Sequence, residues 1–91
     1  MDFTGKRVLV TGGSRGIGRS TAVMFAERGA TVAVHYNSNR AAADETLAQL
    51  AGDGHITVQA ELADSNAIQQ AVTQVVEELG GIDILVNNAR S

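Results

Sequence analysis

The sequence has no cysteine and no proline, only one lysine (Lys6) and only one tyrosine (Tyr36). Without cysteine there is no disulfide, no thiolate nucleophile and no cysteine-ligated zinc or iron–sulfur centre. Without proline nothing bars a segment from a long helix or from ladder hydrogen bonds. Aromatic residues make up 3% of the chain, so aliphatic side chains must build any core. Seven Lys and Arg against ten Asp and Glu leave a net charge of −3, and no basic block. That excludes nucleic acid and anionic membrane as natural partners. No apolar run approaches the roughly 20 residues that cross a bilayer. The first residues, Met1 to Arg7, lack the apolar stretch of a signal peptide, so the expected compartment is the cytoplasm.

What remains is 91 residues, 44% of them hydrophobic. That predicts one packed domain over residues 1–91.

Arg7 to Thr11 is a short β-branched apolar run, the profile of a buried parallel strand. Gly12-Gly13 ends it, and Gly16-Ile17-Gly18 opens a helix to about Arg28, with Ile17, Thr21, Met24 and Phe25 near one face. Gly29 stands where a left-handed cap is expected. Thr31 to Tyr36 reads as a second strand, and Asn39 or Ser38 caps a helix from Arg40 to Ala51, with Ala43, Leu47 and Leu50 on one side. Ile56 to Ala60 is a third strand. Asp64 or Ser65 caps a third helix with Ile68, Val72, Val75, Val76 and Leu79 as its apolar face, ended by Gly80-Gly81. Ile82 to Asn87 is a fourth strand. The order βαβαβαβ with short connections implies an α/β fold, a parallel sheet with right-handed crossovers.

Thr11-Gly12-Gly13-Ser14-Arg15-Gly16-Ile17-Gly18 follows the first strand and opens the first helix. A glycine at the strand end allows a tight turn, and a later one lets a pyrophosphate approach the backbone. Gly18 lets the helix pack closely, and the helix's free N–H groups and positive dipole end then face the phosphates. A glycine-rich turn without a ligand is the alternative, and the strand–turn–helix context favours the ligand. The two histidines, His35 and His55, have no spaced partner for metal ligation.

The spacing Gly-x-x-x-Gly-x-Gly, preceded by Thr11, resembles the first motif of the short-chain dehydrogenases/reductases. Asn87-Asn88-Ala89 resembles their second motif, Asn-Asn-Ala-Gly, with Arg90 in place of the glycine. The resemblance covers residues 3–89, and the wording of Val32 to Ser38 is similar to the 3-oxoacyl-carrier-protein reductase and glucose dehydrogenase branches. It implies a Rossmann-like sheet of strand order 3-2-1-4, incomplete relative to the full doubly wound fold. Two helices would lie on one face and one on the other. It also implies dinucleotide contacts at Gly12, Ser14, Arg15, Gly16, Ile17 and Gly18, at Tyr36, Asn37 and Ser38, at Glu61 and Leu62, and at Asn88 and Ala89.

A carboxylate after the second strand would select NAD by bonding the ribose 2′-OH. Here His35-Tyr36-Asn37-Ser38 has none, and Arg15 lies in the glycine loop. An arginine with neutral donors suits a 2′-phosphate, so NADP(H) is expected over NAD. Asp64 reads as a helix cap, and Arg40 as an exposed helix residue.

The family reaction is hydride transfer between the nicotinamide and a carbonyl or alcohol carbon. A tyrosine serves as acid/base, a lysine four residues later lowers its pKa, and a serine orients the substrate. Tyr36 is followed at four residues by Arg40, and Lys6 precedes the first strand, at the end of the sheet away from ligands, so no such pair can be assembled. The expectation is a cofactor-binding segment inactive by itself; the alternative is a stand-alone nucleotide-binding or assembly module. With one helix on one face and Ile84, Leu85 and Val86 at an open edge, self-association or pairing with a missing half is also expected.

Overall fold

The computed structural model describes residues 2–88. Ala89 and Arg90, the end of the second motif, lie outside the described residues. The elements are β1 (Arg7–Thr11), α1 (Gly16–Glu27), β2 (Thr31–Tyr36), α2 (Arg40–Ala48), β3 (Ile56–Gln59), α3 (Ser65–Leu79) and β4 (Ile84–Asn87). The strands form one parallel sheet in the order β3-β2-β1-β4. This is the expected Rossmann-like arrangement, a partial doubly wound sheet.

Because side chains alternate across a strand, the sheet sorts its residues into two layers. Val8, Val10, Val32, Val34 and Tyr36 pack with Ala22, Phe25 and Ala26 of α1 and Ala43 of α2. Leu9, Ala33, Val58 and Ala60 pack with Ala71 and Val75 of α3. Phe3 and Phe25 meet in a tilted pair with ring centroids 4.8 Å apart, extending the first layer before β1. The second layer has α3 alone among the described residues. Among the described residues β4 pairs only with β1, and Leu85, in register with Leu9, is 61% exposed.

Local chemistry sets most boundaries as expected. Asn39 caps α2 by accepting from the Ala42 N–H, and Asp64 caps α3 by accepting from the Asn66 and Ala67 N–H groups. Gly29 and Gly80 take the left-handed conformation that ends α1 and α3.

Four expectations require correction. Ile17 is 75% exposed and does not belong to the buried face of α1, which is Gly18, Ala22, Phe25 and Ala26. Gly18 is pressed against the glycine turn, and the residue before it lies about 100° round the helix. Val72 and Val76 are likewise exposed. The buried stripe of α3 is Ala71 and Val75, with Ala67 and Leu79 packed beside them, because small alanines let the helix sit close to the sheet. α2 stops at Ala48, three residues early, where the Gln49 and Leu50 N–H groups turn back to the Thr46 and Leu47 carbonyls. β3 and β4 are shorter than expected, at Ile56–Gln59 and Ile84–Asn87. Ala60 still donates its N–H to the Tyr36 carbonyl, and Asp83 donates its N–H to the Arg7 carbonyl.

Candidate functional site

The loops that follow β1, β2 and β3, and Asn88 after β4, lie at the carboxyl end of the sheet, the end at which ligands bind in open parallel sheets. After β1, Gly12 turns at φ 65° and Gly16 at φ 62°. A Cβ on Gly18 would collide with the Gly12 carbonyl oxygen and stand 2.9 Å from Gly13 Cα, so the start of α1 touches the turn backbone to backbone. A Cβ on Gly16 would meet nothing within 4 Å. At Gly16 the start of α1 thus opens on free space.

That helix start differs from the other two. Arg15, at the N-cap of α1, makes no side-chain capping bond. The first N–H groups of a helix have no intrahelical partner and carry the positive end of its dipole. In α2 and α3, Asn39 and Asp64 occupy them. In α1 no side chain does so among the described residues.

The turn is held rigidly from behind. The Ser14 carbonyl accepts from Arg19 Nη2 at 2.7 Å and from Thr46 Oγ1 at 3.0 Å. Arg19 Nε donates to Thr46 Oγ1 at 2.8 Å, and Arg19 Nη2 also reaches the Ala42 carbonyl at 3.0 Å. Thr46 is 0% exposed. This network clamps the glycine turn to α2. On the other side, the Gly13 N–H donates to the His35 carbonyl at 2.9 Å and the Gly12 N–H to His35 Nδ1 at 3.0 Å. Thr11 Oγ1 donates to Asn87 Oδ1 at 2.9 Å and accepts from the Asn88 N–H at 3.1 Å, joining the ends of β1 and β4.

The other expected positions that the structure describes lie as follows. Arg15 and Ile17 are exposed beside it, and Asn37 and Ser38 are exposed after β2. The Asn37 carbonyl accepts from Gln59 Nε2 at 2.7 Å, which ties the β2 loop to β3. Glu61 and Leu62 are exposed after β3. Tyr36 lies in the core layer at 9% exposure, beside Val34 and Ala43. Arg40 is exposed and pairs loosely with Asp44 at 3.8 Å. The Asn88 side chain brings Nδ2 to a buried position where it has no hydrogen-bond partner among the described residues. Among the described residues no group of His, Asp and Glu could hold a metal ion, and no helix is long and apolar enough to cross a membrane.

A dinucleotide fits these features. The uncapped N–H groups suit a pyrophosphate, the space at Gly16 admits one, and Asn88 Nδ2 is a buried donor awaiting an acceptor. The model of the short chain dehydrogenase family matches residues 6–90. The chain belongs to the short-chain dehydrogenases/reductases. Over 86 residues it is 41% identical to 3-oxoacyl-(acyl-carrier-protein) reductase FabG of Staphylococcus aureus, covering 92% of this chain and 35% of that protein. Over 91 residues it is 40% identical to the short-chain dehydrogenase/reductase homolog YusS of Bacillus subtilis, covering 98% of this chain and 84% of that one. The crystal structure of a short chain dehydrogenase from Burkholderia cenocepacia in complex with NADP superposes with a TM-score of 0.86 at 43% identity, covering 100% of this chain and 38% of that one. This short-chain dehydrogenase/reductase chain therefore spans about a third of the reductase's length and most of the Bacillus homolog's.

Arg19, Thr46 and His35 were not among the residues expected at the site. A faint signal existed for two of them. Thr46 is a polar residue on the apolar stripe that contains Ala43 and Leu50, and His35 is an imidazole between Val34 and Tyr36 in an otherwise apolar strand.

Proposed function

We propose that this chain is the dinucleotide-binding segment of an NADP(H)-dependent short-chain oxidoreductase, folded as a single unit over residues 1–91. The observation that carries this is the start of α1, uncapped and opening on free space at Gly16, where α2 and α3 are capped by Asn39 and Asp64. The first-turn N–H groups of α1 would hold the pyrophosphate, and Gly16 would allow its approach. Glu61 and Leu62 would flank the adenine, and Asn88 Nδ2 and Ala89 the nicotinamide ribose.

Arg15, Asn37 and Ser38 form the cofactor-selecting group. All three are exposed, and no carboxylate stands among them to repel a 2′-phosphate. NADP(H) is therefore favoured over NAD. When bound, the nicotinamide supplies or accepts the hydride for a carbonyl or alcohol substrate. Tyr36 is packed in the core and Lys6 precedes β1 at the opposite end of the sheet, so the proton-transfer groups come from outside this chain. The side of β4 that is unpaired among the described residues and exposed Leu85 suit self-association or pairing with a further segment, and a cytoplasmic location belongs to the same proposal.

A second reading, a nucleotide-binding module without catalysis, is favoured by the Bacillus homolog, of which this chain covers 84%. Reading the coding frame past Ser91 separates the two, because a continuing frame with Tyr-x-x-x-Lys supports the oxidoreductase.

The binding site itself is tested by calorimetric titration. NADPH should bind about tenfold more tightly than NADH, and Arg15→Ala should remove about 1.4 kcal/mol from NADPH binding while leaving NADH unchanged. Equal or tighter NADH binding refutes the 2′-phosphate assignment.

A further inference from the structure

His35 is 3% exposed, and its ring spans two loops of the site. Nδ1 accepts from the Gly12 N–H at 3.0 Å, and Nε2 lies 2.7 Å from the Ala60 carbonyl. A backbone N–H can only donate and a carbonyl can only accept, so the ring is the Nε2–H tautomer. The His35 carbonyl also accepts from the Gly13 N–H. The β1–β2 ladder runs to Val10 opposite Val34. Just past that point, the His35 side chain continues the connection that the glycine turn breaks.

We propose that His35 is a positioning residue for the dinucleotide, a strut that holds the phosphate turn at Gly12 and the adenine loop after Ala60 at a set separation. This rests on the cofactor-binding reading above. The mechanical chain is short. The Gly12 carbonyl fills the place where a Gly18 side chain would be, so the position of Gly12 sets where α1 begins. His35 also occupies the Gly12 N–H, which leaves the donors of the α1 first turn, not Gly12, to meet the phosphates. Losing the Nδ1 bond would free Gly12 to rotate about its positive φ and would release the helix start from its register.

The two ring bonds can be removed one at a time. Asparagine places Oδ1 near the Nδ1 position and keeps an acceptor for Gly12. Glutamine places Nε2 near the histidine Nε2 and keeps a donor for Ala60. His35→Asn and His35→Gln each lose one hydrogen bond and should lower the melting temperature comparably, yet they should differ in affinity. We expect His35→Asn to bind NADPH within about threefold of the unmodified chain and His35→Gln about tenfold more weakly than the unmodified chain, a loss of about 1.4 kcal/mol for the latter.

His55 is the internal control. It makes the same pair of bonds, accepting from the Val32 N–H at 3.0 Å and donating to the Ala51 carbonyl at 2.6 Å, but at the amino end of β2, away from the site. His55→Asn and His55→Gln should lower stability without changing affinity beyond about twofold. The experiment is calorimetric NADPH titration, thermal denaturation and amide hydrogen exchange at Gly12 on the 91-residue chain and these four variants. Equal affinities for His35→Asn and His35→Gln, or affinity that simply follows melting temperature across all four variants, overturns the strut. An unmodified chain that binds no dinucleotide refutes the cofactor reading instead. Gly12 exchange still decides the strut in that case: faster exchange in His35→Gln than in His35→Asn supports it, and equal exchange overturns it.

Discussion

Gly18→Ala isolates the contact between the glycine turn and the first helix. In an open helix position alanine is favoured over glycine by roughly 0.5–1 kcal/mol. At Gly18 the sign should reverse. The added Cβ collides with the Gly12 carbonyl oxygen and would stand 2.7 Å from the Gly12 carbonyl carbon, where ordinary contact begins at 3.4 Å. The start of α1 must then retreat from the turn by the difference, about 0.7 Å, and by more to clear the oxygen. All the atoms in the way are backbone, so no rotamer change relieves the strain. Overpacking of this kind costs about 1–3 kcal/mol. With only backbone in the way the cost lies in the upper part of that range, about 2–3 kcal/mol. Set against the helix gain, a net loss of about 1–2.5 kcal/mol remains, or a melting temperature lower by roughly 4–20 °C for a domain of this size. The same retreat pulls the uncapped N–H groups away from the phosphates, so NADPH affinity should fall by about tenfold or more. Gly16→Asn supplies the contrast. Asparagine tolerates positive φ, and position 16 has open space, so stability should hold while the new side chain occupies the phosphate site and affinity drops. Thermal denaturation with calorimetric titration reads both quantities. A Gly18→Ala chain with an unchanged or raised melting temperature would refute the close-contact account of the turn.

Three further outcomes follow from the same structure. Thr46→Val keeps the shape of a fully buried side chain but deletes its bond to the Ser14 carbonyl and strands Arg19 Nε; urea denaturation should show a loss of about 1–3 kcal/mol, and an unchanged midpoint would dismiss the clamp on the glycine turn. The hydrogen bonds from the Arg7 guanidinium and backbone N–H hold the Asp83 carboxyl down to about 2. Its folded value lies below the unfolded value of about 3.9, so the stabilisation is complete above roughly pH 4 and is lost as pH falls toward 2. Asp83→Asn should flatten the stability profile across that window, and a variant keeping the original slope would show that Asp83 is not the group responsible. Leu85→Lys should convert an associating chain into a monomer by sedimentation velocity at tens of micromolar, and an unmodified chain already monomeric there would rule out association through β4.

What could be read along the chain was whatever is encoded locally. β1 and β2 announce themselves as short valine-rich runs because both of their faces are buried. Asn39 and Asp64 cap helices two or three residues away, and Gly29 and Gly80 end them with a conformation other residues resist. The misassignments came from weighting residues by size. Val72 and Val76 looked like core, yet Ala67 and Ala71 set the approach of α3 to the sheet. Ile17 looked like core until Gly18 set the helix's rotation about its axis.

The amino-acid sequence by itself determined the alternation of strands and helices, and hence a parallel sheet. It also determined the glycine turn at the end of the first strand, because strand runs, caps and left-handed glycines act over a few residues. Only the tertiary structure decided what holds that turn in place. His35 meets Gly12 across 23 positions and Thr46 meets Ser14 across 32, and Arg19 joins the two helices between them. Such bonds depend on where the sheet brings distant backbone groups together. A polar residue carries its hydrogen-bonding capacity in its identity, but its partner is set by the packing of the whole chain.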